Sequence, residues 1–192
     1  MLESLKLGRL SAGLQQSSNI EEWLKHDLCP FDFSRLAVLS INTRTPTSVL
    51  AWSRMASALQ TIEALDLFPD STVVDLSLLP NLLFLRIRVN WSGTLGATIN
   101  TLSTITSSSH IRQIDIPIYI STLRNDYCSQ FDSKITSLPL SHLLKVGLEV
   151  DIGVYGACIL RFPRLRSSDM LLCTSRYPDW FERQIRRRKP LD

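Results

Sequence analysis

The stretch Leu79-Pro80-Asn81-Leu82-Leu83-Phe84-Leu85-Arg86-Ile87 decides the fold. Leu82, Leu85 and Ile87 follow the spacing Leu-x-x-Leu-x-Ile, and its second half alternates as a strand with one buried face does. The same spacing occurs at Leu2-x-x-Leu5-x-Leu7, Leu36-x-x-Leu39-x-Ile41, Ile62-x-x-Leu65-x-Leu67, Ile111-x-x-Ile114-x-Ile116 and Leu143-x-x-Val146-x-Leu148. Successive starts lie 34, 26, 20, 29 and 32 residues apart. One copy means little in a chain rich in leucine, whereas six describe units that cannot bury their apolar face alone and must stack on one another.

Between copies the apolar period changes to that of a helix. Ser18-x-x-Glu21 reads as a capping box ahead of Ile20, Trp23, Leu24 and Leu28. Thr45-Pro46 starts a second helix with Val49, Leu50, Trp52, Met55, Ala56 and Leu59 on one face. Residues 70–79 fit only a short helix or turn. Leu95, Ile99 and Leu102, then Phe131, Ile135 and Leu138, mark two more helices. Strand alternating with helix is the rhythm of a parallel sheet, which places the chain in the α/β class. Ile114, Ile116, Ile118 and Ile120 give the longest strand pattern.

Phe162-Pro163-Arg164-Leu165 opens a degenerate closing unit, with Ser168 where a second leucine is expected. Tyr177-Pro178-Asp179-Trp180-Phe181-Glu182 then starts a helix that would place Trp180 or Phe181 on the last open edge. The first unit has no such cap, so either a partner covers it or the chain is a fragment or truncated product; we favour the fragment. One repeat domain of six to seven units over residues 1–182 and a basic tail over 183–192 is the expected organisation.

The repeat spacing, with Phe33-Ser34-Arg35-Leu36, Leu79-Pro80-Asn81-Leu82, Ser107-Ser108-Ser109-His110-Ile111 and Phe162-Pro163-Arg164-Leu165, resembles the irregular leucine-rich-repeat regions of fungal F-box-like proteins. The resemblance covers residues 33 to about 182. It implies a repeat array that selects a protein substrate for a ubiquitin ligase. The F-box, which in that family docks on the ligase scaffold, is not visible, so scaffold binding would require one upstream. Typical repeats carry an Asn three residues after the third leucine; the positions here are Leu10, Arg44, Asp70, Asn90, Tyr119 and Asp151, and only Asn90 matches. The expected shape is therefore an irregular arc, with a parallel sheet on the concave side and helices on the convex side.

Composition is that of a chain with a core: 44% hydrophobic and 20% charged residues. No apolar run reaches the ~18 residues of a membrane span and no signal peptide opens the chain, so a cytoplasmic or nuclear location is expected. Cys29, Cys128, Cys158 and Cys173 form no C-x-x-C pair and read as reduced thiols. His26, His110 and His142 share no metal-ligand spacing and suit surface or loop packing. Glu21 and Glu22, about 100° apart on a helix, suit its dipole better than acid–base work. Gly93-Thr94-Leu95-Gly96 lacks the lysine of a phosphate loop. Asn90-Trp91-Ser92 matches the glycosylation sequon only formally, because no secretory signal accompanies it. No catalytic, metal or cofactor site is expected.

Residues interleaved with the leucines point to the opposite face. One row reads Lys6, Ser40, Asp66, Arg86, Asp115, Gly147 and the next Gly8, Asn42, Phe68, Arg88, Pro117, Glu149. With strands ~4.8 Å apart, Arg86 should sit between Asp66 and Asp115. Two readings stand: a solvated salt-bridge ladder, each exposed pair worth about 0–1 kcal/mol, or a protein-binding surface of Phe68, Phe84, Arg86 and Arg88, arginine and aromatics being enriched at interface hot spots.

The formal net charge is +3, yet Arg183, Arg186, Arg187, Arg188 and Lys189 carry +5 of it, leaving about −2 elsewhere. This tail reads as a nuclear-import signal, a patch for an acidic partner, or a solvated helix end. Five clustered charges give sequence-blind attraction to nucleic acid, and no base-reading motif accompanies them. The leading expectation is a non-enzymatic module that binds an unidentified protein. The alternative is a nuclear or nucleic-acid-associated scaffold that binds through its tail.

Overall fold

The computed structural model describes residues 2–7, 22, 24, 26, 28–42, 50, 51, 55–68, 72–89, 95–118, 125–150 and 160–175. Seven strands lie in one parallel sheet in chain order: β1 (Ser4–Leu7), β2 (Val38–Ile41), β3 (Ala64–Leu67), β4 (Phe84–Ile87), β5 (Gln113–Ile118), β6 (Lys145–Val150) and β7 (Leu171–Ser175). Six of them are the six copies of the repeat, and their register matches the spacing. Leu39, Leu65, Leu85, Ile114 and Val146 are consecutive partners. Ile41, Leu67 and Ile87 form the next row.

The five junctions from β1 to β6 enter the sheet in the same way. The carbonyl two residues before the second leucine position accepts two backbone N–H groups from the next unit. Glu3 accepts from Ala37 and Val38 at 2.9 and 3.2 Å. Ala37 accepts from Glu63 and Ala64, Glu63 from Leu83 and Phe84, Leu83 from Arg112 and Gln113, and Arg112 from Leu144 and Lys145. Equal spacing in sequence thus becomes equal hydrogen bonding, which is why a strand slip of one residue, turning leucines outward, is disfavoured.

Three α-helices are described: α1 (Leu95–Ser103), α2 (Asn125–Thr136) and α3 (Pro163–Ser167). Leu102, Ile105, Phe131, Ile135 and Leu165 join the leucine rows in one buried core, so these helical segments cover one face of the sheet. Short 3₁₀ turns stand at Ala58–Gln60 and Leu76–Leu78; among the described residues from Ile62 to Leu82 lie β3 and the second of these turns. Asp75 starts the second 3₁₀ turn by accepting the Ser77 N–H at 3.0 Å. Polar side chains stitch the helical layer across units: Thr101 and Thr104 on and beside α1 accept the N–H groups of Val74 and Leu76 at 3.0 and 2.8 Å.

Pro117 lies inside β5, a position with no N–H to give to a ladder. Pairing of β5 with β4 ends at Asp115, while pairing with β6 continues to Ile118. The closing unit is a full strand rather than a degenerate one, with Leu171 beside Val146 and Cys173 beside Leu148. Six residues, not three, separate Leu165 from Leu171. α3 and a left-handed Asp169 (φ 56°) take up the extra length.

The first helical pattern needs one correction. Leu24 is buried, but Leu28 is 83% exposed in a turn, its N–H held by His26 Nδ1 at 3.2 Å. Glu22 and Leu24 are helical, whereas His26 lies in a bend and Leu28 stays off the apolar face. The Ser18 capping box, the Thr45-Pro46 helix start, Asn90, Ile120, the segment from Tyr177 to Glu182 and the tail residues Arg183 to Lys189 lie outside the described residues. Among the described residues no helix is long and apolar enough to cross a membrane.

Candidate functional site

The sheet face away from the helices carries the charged row, in the expected register: Ser40, Asp66, Arg86, Asp115 and Gly147 are consecutive partners across β2 to β6. It is not the solvated ladder that the exposed-pair reading requires. Ser40, Asp66, Arg86, Asp115 and Glu149 are each buried, none more than 6% exposed. The reason is diagonal pairing between rows. Asp66 Oδ1 accepts from Arg88 Nε at 2.9 Å, Arg88 Nη2 bonds Asp66 Oδ2, and Ser40 Oγ donates to the same oxygen at 2.9 Å. Arg86 Nη2 reaches past β5 to Glu149 Oε2 at 2.5 Å. Long side chains laid across neighbouring strands exclude water from one another.

Gly147 makes room for this arrangement. A Cβ there would stand 2.3 Å from Asp115 Oδ1, so the Asp115 carboxylate occupies the space a side chain would need. Gln113 Nε2 donates to that oxygen at 2.6 Å. Phe84 is half-buried against Val38 and Ala64, and Phe68 and Arg88 are half-buried. Of the expected binding set, then, Arg86, Asp66 and Asp115 are committed to the interior, and Phe68, Phe84 and Arg88 keep partial exposure. Glu149 is the member that sequence reasoning left out; its signal was an acid in the adjacent row, within reach of an arginine two strands away.

A second surface lies where the strands begin. An open groove of about 680 Å³ runs along these ends. One side is the row of doubly accepting positions, from Glu3 through Glu63 to Arg112; the other holds Arg35, Thr61, Asn81, His110 and His142, each four residues before a second leucine position. Thr61, Asn81, His110 and His142 contact the preceding unit. Thr61 Oγ1 donates to the Leu36 carbonyl at 2.8 Å, Asn81 Nδ2 donates to the Gln60 carbonyl at 2.7 Å, and His110 Nδ1 lies 3.1 Å from the Pro80 carbonyl. His142 stacks on His110, ring centroids 5.8 Å apart and planes within 9°. Side chains standing before the strands thus tie one turn to the next.

Cys29 and Cys128 are buried and Cys173 is half-buried; Cys158 lies outside the described residues. Burial pushes the Cys128 thiol up, the nearby Arg161 guanidinium opposing it. Asp132, 2% exposed on α2, accepts the N–H groups of Arg164 and Leu165, both at 2.9 Å, and so caps α3. Among the described residues no three His, Cys, Asp or Glu side chains are grouped to hold a metal ion. Set against protein-family models, curated proteins and solved structures, the chain shows no significant match to any.

Proposed function

We propose that the chain is a non-enzymatic protein-interaction module, an irregular leucine-rich-repeat-like arc with its parallel sheet on the concave side and its helices on the convex side. The observation that carries this reading is the repeated junction: five successive units hand the same carbonyl to the same two N–H groups of the next. A stack built this way presents a long row of equivalent side chains, suited to an extended protein surface rather than to a small molecule. The unit spacing and the segments around Phe33, Pro80 and Pro163 support a substrate-recognition region of an F-box-type ubiquitin-ligase receptor, cytoplasmic or nuclear. Attachment to a ligase scaffold would depend on an F-box encoded upstream.

The test is site-specific photo-cross-linking. A benzophenone amino acid is placed at Leu172, on the charged face beside Gly147, at Leu144, beside the strand-start groove, and at Val73, whose segment packs on α1; all three are exposed. The reading expects one reproducible protein captured from Leu172 or Leu144, not from Val73, with capture unchanged after removal of residues 183–192. Equal capture from Val73, loss of capture with the tail, or capture from no position overturns it, and loss with the tail would establish the tail-binding scaffold instead.

A further inference from the structure

We propose that the groove along the strand starts is the docking surface, and that it takes an extended peptide segment of a partner with an acidic residue seated on Arg112, His110 and His142. The proposal rests on the protein-interaction reading and names its site and the partner's chemistry.

Three observations carry it. The groove touches units one to six, so it crosses five strand spacings, about 24 Å, the length of roughly seven extended residues. Its backbone carbonyls already accept two N–H groups each, which leaves recognition to side chains. Arg112, His110 and His142 are exposed together at the β5–β6 end, while at the other end Arg35 falls, in sheet order, between Glu3 and Glu63, which directly precede β1 and β3. Glu63 is two strand spacings, about 10 Å, from Arg112. The two imidazoles are held parallel, one of them anchored on the Pro80 carbonyl, so the basic end is a fixed set of planar nitrogen groups. The Arg112 guanidinium, lining the groove with these rings, suits a carboxylate, which it engages by charge-assisted hydrogen bonds. Among the described residues, the arginines of the sheet face already hold Asp66 and Glu149.

A phage-displayed library of random dodecapeptides selected on the full chain tests this directly. The expected result is enrichment of peptides bearing clustered Asp or Glu. Their binding should weaken about tenfold in Arg112→Glu and several-fold in Arg112→Gln and His142→Ala, all at exposed positions and each checked for an unchanged far-ultraviolet circular dichroism spectrum. No enrichment, enrichment without acidic residues, or binding indifferent to both Arg112 variants overturns the proposal. Photo-cross-linking separates its failure from that of the broader reading: capture from Leu172 alone removes the groove and leaves the module standing, whereas capture from neither Leu172 nor Leu144 removes the module as well.

Discussion

Arg86 on β4 passes over β5 to meet Glu149 on β6, so a single ion pair of 2.5 Å ties three strands together. The two side chains are 7% and 1% exposed. Mutual attraction in such a pair mainly offsets the loss of hydration, so the consequence of removing one charge is the stranding of the other. Arg86→Met or Glu149→Leu should each destabilise the fold by about 3–5 kcal/mol, and the double variant should lose far less than their sum. Urea unfolding of the four proteins measures the cycle. Additive losses would mean the two residues do not act on each other.

Gly147→Ala tests the space that Asp115 fills. The new Cβ would meet Asp115 Oδ1 at 2.3 Å, and the carboxylate, 4% exposed and bonded to Gln113, must leave its place. Overpacking of this kind costs about 1–3 kcal/mol. In an Asp115→Ala background the same substitution should cost under half as much. Thermal midpoints of the two pairs decide it, and an equal cost in both backgrounds would place the obstruction elsewhere.

How much of this could be read in the residues themselves differs between the two faces of the sheet. On the helical face, Leu82, Leu85 and Ile87 predicted both the strand and its neighbours, because spacing alone sets which residues align in stacked parallel units. β7 escaped that reading since three extra residues stand between Leu165 and Leu171, and α3 with Asp169 absorbs them. On the other face the register of Asp66, Arg86 and Asp115 was legible but their burial was not. Burial depends on which rotamers cross to the next row, and Glu149 and Gly147 decide that from β6. The groove was illegible for a different reason: Asn81, His110 and His142 precede their strands, whereas the asparagine sought in a typical repeat follows it.

Asp132 joins α2 to α3 by capping α3 from the side of α2. α3 has five residues, one turn and a little more, too few to hold itself together. Asp132→Ala removes the acceptor of two N–H groups at once, and an expected loss of about 2–3 kcal/mol combines a lost cap with buried donors left unmatched. Asp132→Asn retains one acceptor oxygen and should lose about half as much. Hydrogen exchange at Arg164 and Leu165 should accelerate in both variants, Ala more than Asn. Unchanged exchange there would show that Pro163 and core packing hold α3 without the cap.

Asp32 supplies a pH-dependent counterpart at the surface. The Ser34 backbone N–H donates to Oδ1 at 2.9 Å and the Ser34 hydroxyl to Oδ2 at 2.8 Å, and these bonds, the backbone one foremost, hold the carboxyl below the ordinary aspartate range. A folded-state value below the unfolded one means that the group's contribution to stability is complete above the unfolded value. It is lost as pH falls through the ordinary aspartate range to the lower folded value. The Asp32 carboxyl carbon, followed by NMR, should therefore titrate below the midpoint of an unstructured peptide containing Asp32. Ser34→Ala keeps the backbone donor and removes the hydroxyl, so its midpoint should rise only part of the way back. A full return to the peptide value would assign the shift to the hydroxyl alone, and no movement would assign it to the backbone N–H that starts the turn into Leu36.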